Sequence, residues 1–228
     1  MPLLSVIIPF FNEAESVCGV LEELRNVLPD AEIVAVDDGS SDSTRAGIES
    51  VPGVRLVALS RNCGQSAALY AGLRAATGDL LAMMDGDGQN DPSDLPRMVE
   101  ALARGDVVYG VRASRQDSLM RRLASRFANA LRRSVLGDRA RDTGCTLKVM
   151  RRAHRDLLVP FNGLHRFLPA FFERAGLTAV EVEVNHRPRR AGTSKYTIGG
   201  RALRGAWDLL GMRWLLSRMI LWPEATNK

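Results

Sequence analysis

The sequence predicts an α/β fold with a mostly parallel sheet flanked by helices, and three observations carry that reading. Short apolar runs bounded by Gly, Pro or Asp alternate with amphipathic stretches of ten or more residues through the first half of the chain, the pattern of right-handed βαβ units. Carboxylates gather where two of those runs end, at Asp37-Asp38 and at Asp85-Gly86-Asp87, and the carboxyl ends of strands are where open α/β sheets bind ligands. The 228 residues, 46% of them hydrophobic, suffice for one large domain with its own core.

Ser5-Val6-Ile7-Ile8-Pro9 reads as the first strand, followed by a helix from Asn12 to Val27 with Val17, Val20, Leu21, Leu24 and Val27 on one face. Glu32 to Asp37 is the second strand, and Ser41 or Asp42 caps a short helix ending at Glu49. Val54 to Leu59 is the third strand, leading through Arg61-Asn62-Cys63-Gly64 to a helix from Gln65 to Ala76. Leu80 to Met84, apolar throughout and too short for a helix, is a buried fourth strand. Pro92 opens a helix that stops at Arg104-Gly105, and Val107 to Val111 is the fifth strand.

Several classes are excluded. Cys18, Cys63 and Cys145 are odd in number and far apart, which argues for a reducing compartment and against a zinc site or disulfide framework. The apolar start from Leu3 to Phe11 is interrupted by Ser5 and Pro9, so it reads as a strand and not as a signal peptide, and no run is long enough to span a membrane. The first turn, Pro9-Phe10-Phe11-Asn12-Glu13, lacks the glycines of a dinucleotide-binding fingerprint. The net charge of +5 divides unevenly: residues 1–110 carry 7 Lys and Arg against 17 Asp and Glu, net −10, and residues 111–228 carry 24 against 9, net +15. An acidic half suits a metal ion and a basic half suits phosphate or anionic lipid. Nucleic acid is disfavoured, because the basic half has neither a recognition helix nor an aromatic RNA-reading strand.

Asp85-Gly86-Asp87-Gly88-Gln89-Asn90-Asp91-Pro92 is the stretch with the most chemistry. It is not an EF-hand: Asn90 and Pro96 occupy the positions that need Gly and Glu, and a strand precedes it. Two carboxylates one residue apart, with the amide oxygen of Gln89, make a hard-oxygen set for Mg²⁺ or Mn²⁺ with positions left for substrate phosphates. Asp37 and Asp38 have two readings: acceptors for the N–H groups of a base or the hydroxyls of a ribose, or caps of the following turn.

Pro9-x-x-Asn12-Glu13, Val36-Asp37-Asp38-Gly39-Ser40, Arg61-Asn62-x-Gly64 and Asp85-x-Asp87-x-Gln89, in that order, resemble the family 2 glycosyltransferases of GT-A fold, Rossmann-like in their sheet. Within them the chain is most similar to the polyprenol-phosphate sugar transferases of the dolichol-phosphate mannose synthase type. The resemblance implies that Pro9, Asn12, Glu13, Asp37, Asp38 and Gly64 form a nucleotide subsite with Asp85, and that Asp85, Asp87 and Gln89 hold the metal on the diphosphate. Phe11 stands where many relatives carry Tyr. The implied reaction is inverting transfer of one sugar from a nucleotide-sugar donor, mannose from GDP-mannose, to polyprenyl phosphate, with Asp87, Asp142 and Arg112 central to it. A UDP-sugar donor, or a polysaccharide-building transferase, is the alternative; a non-catalytic nucleotide- and lipid-binding module is disfavoured by the intact Asp85 and Asp87.

The acceptor is expected in the basic half. Arg112 leaves the fifth strand, and Met120 to Val135 reads as a helix with Arg121 and Ser125 four apart, on one face and able to grip one phosphate, or else part of a solvated basic face. Arg141-Asp142-Thr143-Gly144-Cys145 resembles the family's Asp-x-x-Gly segment before a strand; Asp142 is then either beside the reacting phosphate or paired with Arg139 or Arg141. Val180 to Val184 alternates as an exposed strand and leads to a loop whose Arg187 and Lys195 are candidates to close over phosphates. His165, preceding an apolar helix from Phe167, is read as packing. Residues 1–198 are expected to form the catalytic domain. Residues 199–228 form an amphipathic helix and tail, with Trp207, Leu210, Trp214 and Leu221 lying either in a membrane interface or against the domain. Peripheral attachment to the cytoplasmic face of a membrane follows.

Overall fold

A computed structural model describes residues 2–113, 129–188 and 198–220. Seven strands form one sheet: β1 (Leu4–Phe10), β2 (Glu32–Asp37), β3 (Val54–Ala58), β4 (Leu80–Met83), β5 (Val107–Arg112), β6 (Lys148–Arg151) and β7 (Ala179–Val184). The order across the sheet is β3-β2-β1-β4-β6-β5-β7. β1 pairs in parallel with both β2 and β4, and β5 with β7, while β6 runs antiparallel to its neighbours β4 and β5. The sheet is therefore mostly parallel, as the resemblance implies; the alternation of elements accounts for the parallel strands and not for the antiparallel β6.

The helices are α1 (Val17–Val27), α2 (Thr44–Ser50), α3 (Gln65–Ala75), α4 (Leu95–Ala101), α5 (residues 129–136), α6 (Leu164–Arg174) and α7 (Ile198–Arg218). They cover both faces of the sheet, and the period-2 alternation of the strands sorts side chains between them. Val6, Ile8, Ile33, Ala35, Ala82 and Val108 pack with α1, α2 and α4, whereas Ile7, Val34, Val36, Leu81, Met83 and Tyr109 pack with α3, α6 and α7. Buried on both faces, the central strands carry the near-continuous apolar runs that make them legible.

α6 begins at Leu164, three residues before the expected Phe167, and two other boundaries differ for identifiable reasons. α1 begins at Val17 instead of Asn12 because Asn12 adopts a left-handed backbone, φ 52°, and the next turn is tied sideways. The Asn12 and Glu13 amides donate to Ser40 Oγ and Thr44 Oγ1 at 3.0 and 2.8 Å, and the Glu13 carbonyl accepts from Ser16 and Val17. The helix after Pro92 is a short α4 with a 3₁₀ turn at either end. Of the two readings of α7, packing accounts for one face: Leu209, Met212 and Leu216 are buried with α6, while Trp207, Leu210 and Trp214 are exposed.

Phe171 of α6 is fully buried on the α3, α6 and α7 face. Phe171→Ala is expected to lower the unfolding free energy by about 3–5 kcal/mol, measured by chemical denaturation.

Candidate active site

Strand order reverses at β1: the chain moves from β1 outward to β2 and β3, then returns to place β4 on the other flank. The crevice beyond the carboxyl ends of β1 and β4 is therefore the topological switch point of the sheet. Asp85 and Asp87 follow β4 into it. The glycine between them is required by contact, since a Cβ on Gly86 would lie 2.5 Å from the Phe10 ring and 2.8 Å from the Pro9 carbonyl oxygen. The loop folds on itself, with the Asp85 amide donating to Asn90 Oδ1 at 2.9 Å and the Gln89 amide to Asp87 Oδ1 at 3.1 Å.

Asp85 Oδ1 accepts from Gln65 Nε2 at 2.7 Å. Burial first, and the neighbouring Asp87 second, push its carboxyl up to about 6, against a hydrogen bond from Thr146 and the attraction of Lys148 and Arg112. Lys148 is 3% exposed and donates to the Cys145 carbonyl. Because β6 is antiparallel between β4 and β5, Lys148 lies in register with Met83 and Tyr109. Burial pulls its ammonium below the usual lysine range, and Cys145, Asp85 and Asp142 oppose that. The sequence reading missed Gln65, Thr146 and Lys148. The available signal was a lone Lys inside the apolar strand Leu147-Lys148-Val149-Met150, which is costly unless the charge is matched.

Arg112 and Asp142, expected to act separately, form one unit: Nε and Nη2 of Arg112 donate to the two carboxylate oxygens of Asp142, both at 2.8 Å. This corrects the alternative in which Asp142 pairs with Arg139 or Arg141, which instead meet Glu173 and Glu181. Both members are mostly buried, at 16% and 8% side-chain exposure, so the bidentate pair fixes the guanidinium in one orientation.

In the expected nucleotide subsite, Asp38 accepts from the Cys63 and Gly64 amides at 2.7 and 2.8 Å, and Asp37 Oδ1 accepts from the Ser40 amide at 3.0 Å. The turn-forming reading thus accounts for contacts of both carboxylates. Asp38 pins the loop between β3 and α3 to the end of β2, and Gly64 adopts φ 91° at the start of α3. Pro9 ends β1 beside them, while Asn12 Oδ1 accepts from the Ser41 amide at 2.9 Å and joins the loops after β1 and β2.

Arg187, expected as a phosphate clamp, pairs with Glu23 and Asp91. Its amide donates to the Gln89 carbonyl at 2.9 Å, and Gln89 Nε2 lies 3.4 Å from the Arg187 carbonyl. The segment after β7 is thereby stitched to the Asp85–Asp91 loop. Arg121, Ser125 and Lys195 lie outside the described residues.

A mostly parallel sheet whose switch point presents paired carboxylates, with cations behind them, defines a GT-A-like domain. Residues 5–158 match the model of Glycosyl transferase family 2, and the chain belongs to that family. The undecaprenyl-phosphate 4-deoxy-4-formamido-L-arabinose transferase of Pectobacterium carotovorum subsp. carotovorum is 39% identical over 203 residues, 85% of this chain and 62% of that protein. The dodecaprenyl-phosphate galacturonate synthase of Rhizobium johnstonii is 38% identical over 229 residues, 93% of this chain and 67% of that protein. The chain thus spans about two thirds or less of the length of these relatives. Glucosyl-3-phosphoglycerate synthase from Mycobacterium tuberculosis, in complex with Mn²⁺, UDP-glucose and phosphoglyceric acid, shares the fold with a TM-score of 0.72 at 21% identity, over 99% of this chain and 88% of that one.

Because the folded-state value of Asp85, about 6, lies above its ordinary 3.8, the folded protein binds this proton more tightly than the unfolded chain. Stability is then lost as pH rises through that interval. Asp85→Asn is expected to raise the Tm of the metal-free protein at about pH 7.5 and to change it little at about pH 4; a gain of equal size at both would place the cost elsewhere.

Proposed function

We propose that this chain transfers a sugar from a uridine diphosphate donor to a polyprenyl phosphate, with inversion at the anomeric carbon. The observation that carries the reading is the pairing, in one crevice, of an acidic group suited to a metal–diphosphate with an oriented, buried arginine. In this reading Asp85 and Asp87 serve the donor, and Arg112, which donates two hydrogen bonds to Asp142, serves the acceptor. The expectation of mannose from GDP-mannose is corrected. Two relatives are named for a formamido-arabinose and a galacturonate, and the structural neighbour is in complex with UDP-glucose. The UDP-sugar alternative therefore replaces it.

The carboxylates fit a divalent cation. Asp85 ionises reluctantly because it is buried beside Asp87, and a cation held by these carboxylates would relieve both penalties. Among the described residues no group of three or more His, Cys, Asp or Glu side chains is placed to hold a metal, so Asp85 and Asp87 would share the ion with diphosphate oxygens, a division usual for Mg²⁺ or Mn²⁺. Gln89 is the further candidate ligand, through its amide oxygen. When bound, the ion supplies Lewis-acid neutralisation of the departing diphosphate. The protein's own residues orient the partners: Arg112 holds the acceptor phosphate, and the amide-pinned loops after β1, β2 and β3 receive the nucleoside at Pro9, Asn12, Glu13, Asp37, Asp38 and Gly64. No general base of high basicity is needed, since a phosphate monoester with a second pKa of about 6 is largely dianionic at neutral pH. Arg121, Ser125 and Lys195 remain candidates for the acceptor side, joined by Arg187 if it exchanges its carboxylate partners for phosphate.

Among the described residues no helix is long and apolar enough to cross a membrane. Trp207 and Trp214, 74% and 64% exposed on the face of α7 opposite its packed side, suit a membrane interface. We place residues 199–228 there, at the cytoplasmic face, where the free Cys18, Cys63 and Cys145 stay reduced.

Radiolabel transfer from a panel of UDP-sugars and GDP-mannose into undecaprenyl phosphate is expected with a UDP-sugar, to stop in EDTA, and to fall roughly a hundredfold or more in Asp87→Ala. Near-normal turnover in that variant would remove the metal assignment. Replacing Trp207 and Trp214 together by Ala is expected to reduce co-sedimentation with anionic lipid vesicles without lowering Tm; undiminished sedimentation would detach α7 from the membrane reading.

A further inference from the structure

α3 opens the crevice with two adjacent polar side chains that reach in different directions. Gln65 holds Asp85, and Ser66, 5% exposed, lies 2.8 Å from His165 Nδ1 through its hydroxyl. His165 is the second residue of α6, whose first turn is tied to the same hydroxyl: the Gly163 amide donates to Ser66 Oγ at 2.9 Å. The face of the sheet beneath is the one that carries Met83, Tyr109 and, by strand register, Lys148. Helices α3 and α6 therefore bring His165 to the same side of the sheet as the Asp85 carboxylate and the Lys148 ammonium.

The hydrogen bonds determine which ring nitrogen carries the proton. Ser66 already accepts from Gly163, and its one hydroxyl proton has a single acceptor recorded within reach, His165 Nδ1. A buried hydroxyl does not leave its proton unpaired when an acceptor is at hand. Nδ1 is thus the acceptor and Nε2 the N–H. Burial, with Arg166 and Lys148 nearby, holds the imidazolium form down to about 3, so the ring is neutral and locked in one tautomer. Among the described residues Nε2 has no hydrogen-bond partner, so this N–H is left to donate to a ligand. A neutral donor held by a serine, with a buried lysine behind it, is suited to an oxygen acceptor on a ligand. The metal-bound end of the donor needs no such group.

We propose that His165 is a specificity-determining residue whose Nε2–H donates a hydrogen bond to an oxygen of the transferred sugar, an inference that rests on the nucleotide-sugar reading above. Ser66 is the positioning residue that fixes the tautomer. This extends the reading of His165 as a packing residue: the ring packs, and its outer nitrogen faces the ligand.

The test is calorimetric binding, in Mn²⁺, of UDP and of UDP-glucose, UDP-galactose and UDP-galacturonate to the wild type, His165→Ala and His165→Gln, with Tm recorded for each. The tightest-binding UDP-sugar is expected to lose about tenfold in affinity in His165→Ala, the scale of one hydrogen bond, while UDP itself changes less than twofold. His165→Gln, whose amide N–H reaches the place of Nε2, recovers most of the loss. Nitrogen-15 NMR of the wild type is expected to show the Nε2–H tautomer for the resonance missing in His165→Ala. Equal loss for UDP and UDP-sugar would assign the contact to the diphosphate and overturn the proposal, as would an unchanged UDP-sugar affinity or an Nδ1–H tautomer. A wild type that binds UDP but prefers no UDP-sugar overturns the sugar contact alone, whereas one that binds no UDP overturns the nucleotide reading together with it.

Discussion

Two carboxylates forced together at the end of a buried strand are the constraint around which this molecule is arranged. Asp85 follows a strand buried on every residue, Asp87 sits one glycine beyond it, and the space between them and β1 is too tight for a Cβ. A carboxylate buried there, with a second one beside it, is unfavourable: burial first and Asp87 second raise the Asp85 carboxyl. The surroundings answer with an amide from Gln65, a hydroxyl from Thr146 and the cations of Lys148 and Arg112. In the proposed function a divalent ion with a diphosphate would complete the neutralisation, making substrate binding and relief of the buried charge one event.

The sheet topology explains how an acidic half and a basic half make one site. The acidic residues belong to the βαβ run that builds β1 to β4, whereas β6 enters from the basic half and inserts antiparallel between β4 and β5. That single reversal sets Lys148 beside β4, and the segment leading into it brings Asp142 to Arg112 at the end of β5. The charge asymmetry of the sequence is thus not a division of surfaces. It is partly consumed inside the crevice, where each half compensates the other.

Much of this was legible in the sequence for physical reasons. Strands buried on both faces write themselves as apolar runs, and β1 to β5 were found within a residue or two because Leu80 to Met83, for example, has no alternative as a helix of four. Asp85 and Asp87 were legible because acidic residues around glycine at a strand end have few other uses. Lys148 was not, since a cation inside an apolar strand signals burial without saying what it faces, and Asp85, the carboxylate that draws it into the crevice, lies 63 positions away in sequence. The pairing of Arg112 with Asp142 was equally hidden: both were identified as site residues, but a contact across 30 positions is set by strand order. The left-handed Asn12 that delays α1 depends on Ser40, Ser41 and Thr44, which sequence-local reasoning cannot bring to it.

The proposed metal-dependent donor site is tested most directly by calorimetric titration of UDP into the purified protein at about pH 7.5 and again at about pH 5.5, with Mn²⁺ and with EDTA. It predicts saturable binding that requires the ion and weakens at the lower pH, as Asp85 gains a proton. Binding of equal strength in EDTA, or binding indifferent to pH, would contradict a donor site in which Asp85 and Asp87 hold a divalent ion with the diphosphate.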